Sequence, residues 1–386
     1  MKRLFRAAYV ATMAGPVLEN AAIVVEDGRI VEVGTCDELL AGKREPYGAD
    51  HVIDFGRAVI LPGLVNAHTH LELTNIGQLP DPASFVDWIL ALRKRVAAVS
   101  AGPEQIARST ENGLAECLKS GVTTVGDITL NPAITRAVIQ GSPIRAVSFG
   151  EVLGMAGRAG QMEERIAAAV MPSTRSNLRI GIEPHSPYSL DLVGYRRCLE
   201  EAKRHAVPLA THLAETPDEA EFLASHSGAF RRLWETLGGW QEGVSRAEGG
   251  PIRAMKEVGL LDYPTVLAHV NYVDDAELEI LAQGKASVVY CPWTHAYFGH
   301  PPHRFVEMLA RGINVAVGTD SAASAPDLDF VEELRLIHMD HPELPVEVVF
   351  EMATIRGARA LGMADQIGTI EPGKSADFCV FKVNSR

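Results

Sequence analysis

His68 and His70 stand one residue apart at the end of an apolar run, Leu61-Pro62-Gly63-Leu64-Val65-Asn66-Ala67. In an extended strand the side chains of residues i and i+2 leave the same face, so both imidazoles can point at one metal ion. Pro62-Gly63 breaks the backbone just upstream and polar residues follow, the pattern of a buried strand that ends at a solvent-facing site. An H-x-H pair is weak evidence alone, because two histidines on a strand are more often surface or core residues. Three further apolar runs end in similar groups: Thr211-His212-Leu213-Ala214-Glu215, Ala268-His269-Val270-Asn271 and Gly318-Thr319-Asp320-Ser321. Singly, His212 and His269 read as satisfied core histidines and Asp320 as a helix cap. Gathered at one end of one sheet, four imidazoles and two carboxylates are a density of buried charge that needs a metal or a partner.

The elements that would gather them are legible from the alternation of short apolar runs with helical patterns, the grammar of βα units around a parallel sheet. Strands are expected at Val59–Asn66, Val122–Asp127, Ile144–Glu151, Leu178–Glu183, Pro208–Leu213, Thr265–Val270, Ala286–Cys291 and Ile313–Thr319. Eight strands with intervening helices point to an α/β fold, a closed (β/α)8 TIM-like barrel, whose active site lies at the C-terminal strand ends. The long connection Ala214 to Pro264 carries helical patterns at Asp218–Ser225, Ala229–Leu237 and Pro251–Val258 and is expected to cap the barrel mouth. Residues 1–57 read as β-rich, with a strand–Asp-Gly–strand hairpin at Ala21–Val33 and a brief helical stretch near Asp37–Gly42. The tail 367–386 is turn-and-strand again, so one small β-sandwich domain built from both chain ends is expected beside a barrel domain of residues 58–366.

The composition, 47% hydrophobic and 22% charged, is that of an ordinary globular chain. A net charge of -13 with no basic block argues against a nucleic-acid polymer or an anionic membrane as partner. The five cysteines are scattered and never form a C-x-x-C pair, which fits a reducing cytoplasm better than a disulfide framework or a thiolate zinc site. The basic start before Ala7–Gly15 imitates a signal peptide, but the run is short and flows into strand-like sequence. His70-Leu71-Glu72 matches the H-x-E of a different zinc deaminase fold, yet the P-C-x-x-C partner is absent. Gly154, Gly157 and Gly160 have the wrong spacing for a phosphate loop and read as a loop over the barrel mouth.

The strings "PGLVNAHTHLE", "THLAET", "LAHVNYVDDAEL", "VVYCPWTHAYFGH", "VAVGTDSAAS" and "ARALGMADQIGTIEPGKSADFCVF" cover nearly the whole chain. Together they resemble the amidohydrolase superfamily, in its cytosine/adenosine-deaminase-like, mononuclear-metal branch. The resemblance implies that His68, His70, His212 and Asp320 bind one divalent ion, zinc first and iron second. Some relatives hold two metals bridged by a carboxylated lysine on the fourth strand; Ile180-Gly181-Ile182-Glu183-Pro184-His185 offers no lysine, which favours a single ion. The resemblance further implies that metal-bound water supplies hydroxide, that Asp320 and His269 orient it and take its proton, and that Glu215 protonates a ring nitrogen of the substrate. Ammonia would leave an aminated purine nucleoside or similar heterocycle.

Around this centre the substrate-binding residues expected are Glu72, Trp88, His185, His295 and Arg158, with Arg304 as a second candidate for a substrate carboxylate. For Glu72 and Trp88 a surface carboxylate and a helix-packing indole are equally good readings. Thr294-His295 departs from the "P-x-S-N" pattern of many deaminases of this branch. "HTHLEL" and "CPWTHAYFGHPPH" look most like 6-aminodeoxyfutalosine deaminases of menaquinone synthesis. Methylthioadenosine/S-adenosylhomocysteine deaminases come next, then guanine, triazine or cyclic-amide hydrolases. A catalytically dead scaffold is the reading from another class, and the complete set of site residues argues against it. The partners expected are a small heterocycle and, at most, a second copy of the chain as a homodimer.

Overall fold

The computed structural model describes residues 2–40, 51–99, 102–155, 159–173, 175–240 and 242–383. Five strands come first: β1 Lys2–Val10, β2 Leu18–Glu26, β3 Arg29–Thr35, β4 Val52–Asp54 and β5 Ala58–Pro62. Eight follow within βα units: β6 Leu64–Thr69, β7 Val122–Thr129, β8 Arg145–Val152, β9 Leu178–Pro184, β10 Leu209–Leu213, β11 Thr265–His269, β12 Ser287–Tyr290 and β13 Asn314–Val317. The last, β14, is Phe378–Lys382.

Strands β6 to β13 pair in chain order as one eight-stranded parallel sheet. Their near-continuous apolar runs suit strands that are covered on both faces, by barrel interior and by helices. The two edges meet at a bridge between Thr69 and Asp320, where Asp320 N donates to His68 O at 3.1 Å and His70 N to Asp320 O at 3.4 Å. Asn66 Nδ2 donates to Thr319 Oγ1 at 2.8 Å and Thr319 N to Asn66 Oδ1 at 3.1 Å along the same seam. The barrel therefore closes through the residues singled out for chemistry.

The terminal strands form a mixed sheet in the order β14-β5-β1-β2-β3, with β4 also on β1. Asp27 and Gly28, at φ 50° and 77°, make the left-handed pair that a two-residue hairpin between β2 and β3 requires. The apolar run expected as one barrel strand, Val59–Asn66, is instead divided: β5 belongs to the terminal sheet and β6 to the barrel. Gly63 is the joint, where an added Cβ would lie 2.0 Å from Thr123 Oγ1, so only glycine lets the chain cross so close to β7. Of the expected helical stretch at Asp37–Gly42, Cys36–Leu40 is helical and residues 41–42 lie outside the described residues.

The long connection after β10 carries helices Pro217–Ser225, Gly228–Thr236 and Pro251–Val258, as its pattern predicts. The first two, with helix Phe85–Val99, contribute to a second apolar cluster that includes Phe85, Trp88, Tyr188, Phe222, Phe230 and Trp234, whereas Ile252, Ala254, Met255 and Val258 of the third pack into the main core. Tyr188 stacks on Phe230 at 4.1 Å, and Trp234 Nε1 donates to Tyr188 O at 2.8 Å. Among the described residues no helix is long and apolar enough to cross a membrane. All five cysteines are buried and free.

Candidate metal centre and active site

At the C-terminal strand ends, ligand atoms of His68, His212, His269 and Asp320 all lie within 4.8 Å of one another, and all four residues are buried. His70 adjoins them: its Nε2 is 3.4 Å from Asp320 Oδ1 and 3.3 Å from His212 Nε2. His68 Nε2 is 3.5 Å from the same carboxylate oxygen. Burial holds His68, His70 and His269 well below the usual imidazole range, so they stand neutral, as metal ligation demands. Among the described residues neither ring nitrogen of His68 has a hydrogen-bond partner, nor does His269 Nε2. Buried nitrogens left unmet around one carboxylate, with two Nε2 atoms facing each other, fit a divalent cation and little else.

Second contacts fix these rings. His212 Nδ1 lies 3.2 Å from the His185 carbonyl oxygen and 2.9 Å from Glu183 Oε1. The carbonyl takes the better-directed bond and Glu183 acts chiefly as a buried charge. Burial pulls the His212 imidazole down, but Glu183 and the neighbouring carboxylates push it up to about 10 in the absence of a cation. Thr294 Oγ1 donates to Asp320 Oδ2 at 3.0 Å, leaving Oδ1 towards the histidines. The backbone itself is forced here. Ala214, His269, Val270 and Asp320 have φ of 51°, 72°, 54° and 56°, left-handed values that residues with side chains rarely adopt. They sit where the chain leaves β10, β11 and β13 to aim functional groups.

Glu215 follows β10, with Oε1 3.5 Å from His269 Nε2 and Oε2 accepting from Tyr188 OH at 3.3 Å. Burial pushes its carboxyl up to about 8, against the pull of His212, so the acid form persists at neutral pH. Its main chain is clamped by Glu219, whose two oxygens accept from Ala214 N at 3.0 Å and Glu215 N at 3.1 Å. Asn271 Nδ2 donates to Glu215 O at 3.0 Å. The arrangement is a cation site with a protonated carboxyl poised beside it.

Sequence and fold comparisons agree with that chemistry. The model of the amidohydrolase family matches residues 59–385. The chain belongs to that family. It is 31% identical to the 5-methylthioadenosine/S-adenosylhomocysteine deaminase of Moorella thermoacetica over 97% of this chain and 84% of that protein. The Helicobacter pylori aminofutalosine deaminase, in complex with methylthio-coformycin, superimposes with TM-score 0.86 at 25% identity, covering 100% of this chain and 93% of that one. An adenosine deaminase of Xanthomonas campestris with bound zinc gives TM-score 0.81 at 25% identity over 98% and 84%. This amidohydrolase is a metal-dependent deaminase, a hydrolase of carbon–nitrogen bonds in cyclic amidines.

The residues expected to bind substrate in this amidohydrolase have varied surroundings. The His185 ring is 4.8 Å from that of His212, its Nδ1 2.8 Å from the hydroxyls of both Ser186 and Ser189. Glu72 is buried and engaged by the turn after β7, accepting from Leu130 N at 2.8 Å, Asn131 Nδ2 at 2.9 Å and Thr129 Oγ1 at 3.2 Å. Trp88 packs in the cap, 5.8 Å from Phe85 and 5.3 Å from Phe298. His295 Nε2 lies 2.9 Å from Pro301 O, within its own loop. Arg304 pairs with Asp275 and Glu307. Arg158 lies outside the described residues. Sequence reasoning assigned no role to Glu151, Glu183, Tyr188 or Glu219. Only Glu219 carried a local signal, as the last residue of Thr216-x-x-Glu219, the string of a capping box.

Proposed function

We propose that this chain deaminates an adenine nucleoside at C6, of the methylthioadenosine/S-adenosylhomocysteine type, with zinc as its metal. The observation that carries the reading is the buried three-histidine, one-aspartate cluster with the Glu215 carboxyl beside it, 3.5 Å from His269 Nε2. The 31% identity to a methylthioadenosine/S-adenosylhomocysteine deaminase supports that substrate class over the aminodeoxyfutalosine reading drawn from the motifs alone. In this proposal His68, His70, His212 and Asp320 hold the ion, an imidazole-and-carboxylate set that suits zinc. When bound, the ion lowers the pKa of a water and so makes a nucleophile available near neutrality.

The chain's own groups do the rest. His269 and Asp320 orient the water and take its proton. Glu215 gives its proton to N1 as water adds across the C6–N1 double bond; the proton taken from the water is relayed to the amine, the C6–amine bond breaks and ammonia leaves, and the proton of the C6 hydroxyl returns to Glu215 as the carbonyl forms. Tyr188 and Glu219 keep Glu215 in place. His185, whose ring is 4.8 Å from that of His212, is assigned to substrate contact.

The test is ammonia release by zinc-loaded protein from methylthioadenosine, S-adenosylhomocysteine, adenosine, aminodeoxyfutalosine, guanine and cytosine, with Asp320→Asn as the blank. Release from the first two, absent in the blank, is expected. A preference for aminodeoxyfutalosine would select the second reading, which the fold similarity to the Helicobacter pylori enzyme supports, and would place the chain in menaquinone synthesis. No release from any adenine nucleoside by zinc-loaded protein refutes the proposal.

A further inference from the structure

Glu151 ends β8 in direct register with Glu183 on β9. Neighbours in register on parallel strands project to the same face, and Glu183 projects into the barrel to reach His212. Glu151 is therefore turned into the same interior, one strand further from the cluster, and only 7% of it is exposed. Among the described residues no hydrogen-bond donor reaches its carboxylate. Its ion-pair contact there, His185 Nε2, stands 4.0 Å away, beyond hydrogen-bond distance. Buried carboxylates are normally met by donors, as Glu72 and Glu219 are here.

We infer that Glu151 is the sugar-recognition residue of the site, accepting hydrogen bonds from the 2′- and 3′-hydroxyls of the nucleoside. This rests on the nucleoside reading proposed above. A purine nucleoside has few donors to offer an acceptor. The exocyclic amine is consumed at the reacting carbon and the ring nitrogens of adenine are acceptors, so the ribose hydroxyls remain. Burial and the adjacent Glu183 push the Glu151 carboxyl up to about 8. A hydroxyl donates and accepts at once and suits either protonation state. His185 lies between Glu151 and the metal cluster, so a base seated at the cluster would place its sugar within one residue of this carboxylate.

The test compares methylthioadenosine with its 2′,3′-dideoxy analogue as substrates for wild type, Glu151→Ala and Glu151→Gln, each checked for wild-type zinc content. Two hydrogen bonds between the ribose hydroxyls and this buried carboxyl predict that wild type prefers the riboside by roughly tenfold to a hundredfold in kcat/KM. Glu151→Ala brings that ratio close to one. Glu151→Gln keeps the shape and part of the ratio, and carries the test alone where the alanine variant does not fold. A ratio unchanged in the variants, or already near one in wild type, overturns the inference while leaving deamination intact. Failure of wild type to release ammonia from either compound instead overturns the nucleoside reading itself, and this inference with it.

Discussion

Glu219 is not among the residues of the metal cluster, yet its removal is predicted to cost both stability and turnover. It is wholly buried, and its two oxygens take the main-chain N–H groups of Ala214 and Glu215 at 3.0 and 3.1 Å. Those groups belong to a left-handed turn, with Ala214 at φ 51°, that no strand ladder supports. Glu219→Ala leaves both donors buried and unmet, at about 1–3 kcal/mol each, or roughly 2–6 kcal/mol together. Glu219→Gln is the sharper test because it preserves volume. One oxygen still accepts, but the amide nitrogen is a donor set against a second donor, so about 1–3 kcal/mol is lost. With the turn relaxed, a displacement of Glu215 by about 1 Å would lower kcat by roughly a hundredfold. KM should change little, because the proton is given only as the transition state forms. Urea unfolding of zinc-loaded variants reads the first effect and ammonia release at saturating substrate the second. A glutamine variant as stable and as fast as wild type would refute the clamp.

Glu215→Gln should lower kcat by roughly a hundredfold to ten-thousandfold, the range of a lost general acid. The wild-type carboxyl is raised from the ordinary range to about 8, so its acid form persists through neutrality and disappears as pH rises through 8. Activity should fall along that alkaline limb, and a profile flat from about pH 7 to 9.5 would contradict the assignment. Gly63→Ala puts a Cβ 2.0 Å from Thr123 Oγ1 and 2.5 Å from its Cγ2. Overpacking of about 1–3 kcal/mol is expected by chemical denaturation. Adding Thr123→Ala removes both of those atoms and should recover part of the loss, and no recovery would mean that the strain lies elsewhere.

The barrel was legible because parallel strands buried on both faces leave unbroken apolar runs, as in Leu209–Leu213. The gathering of His68, His70, His212, Glu215, His269 and Asp320 at one end of the barrel was legible because each ends or closely follows such a run. The division at Gly63 was not, since periodicity continues across the joint and only the approach of Thr123 from β7 shows it. Glu151 and Glu183 looked like polar interruptions near strand ends. Their meaning comes from register between strands and from His185 and His212, which are distant in sequence or belong to the next loop. The hydrogen bonds of Glu72 to the turn that follows β7 were likewise hidden, since Leu130 and Asn131 lie far from it in sequence.

The pairing of β14 with β5 gives the chain an order in time. Cys379 and Pro62, joined across that pair, are 317 residues apart. During synthesis the edge of β5 waits open until almost the whole barrel has left the ribosome, and an unpaired edge is a template for wrong partners. β5 runs through Gly63 directly into β6, the strand that carries His68 and His70. The last strand to emerge therefore seals the one that leads into β6, soon after Asp320, the last residue of the cluster to be made, so the terminal sheet and the centre are completed in the same final stretch of synthesis.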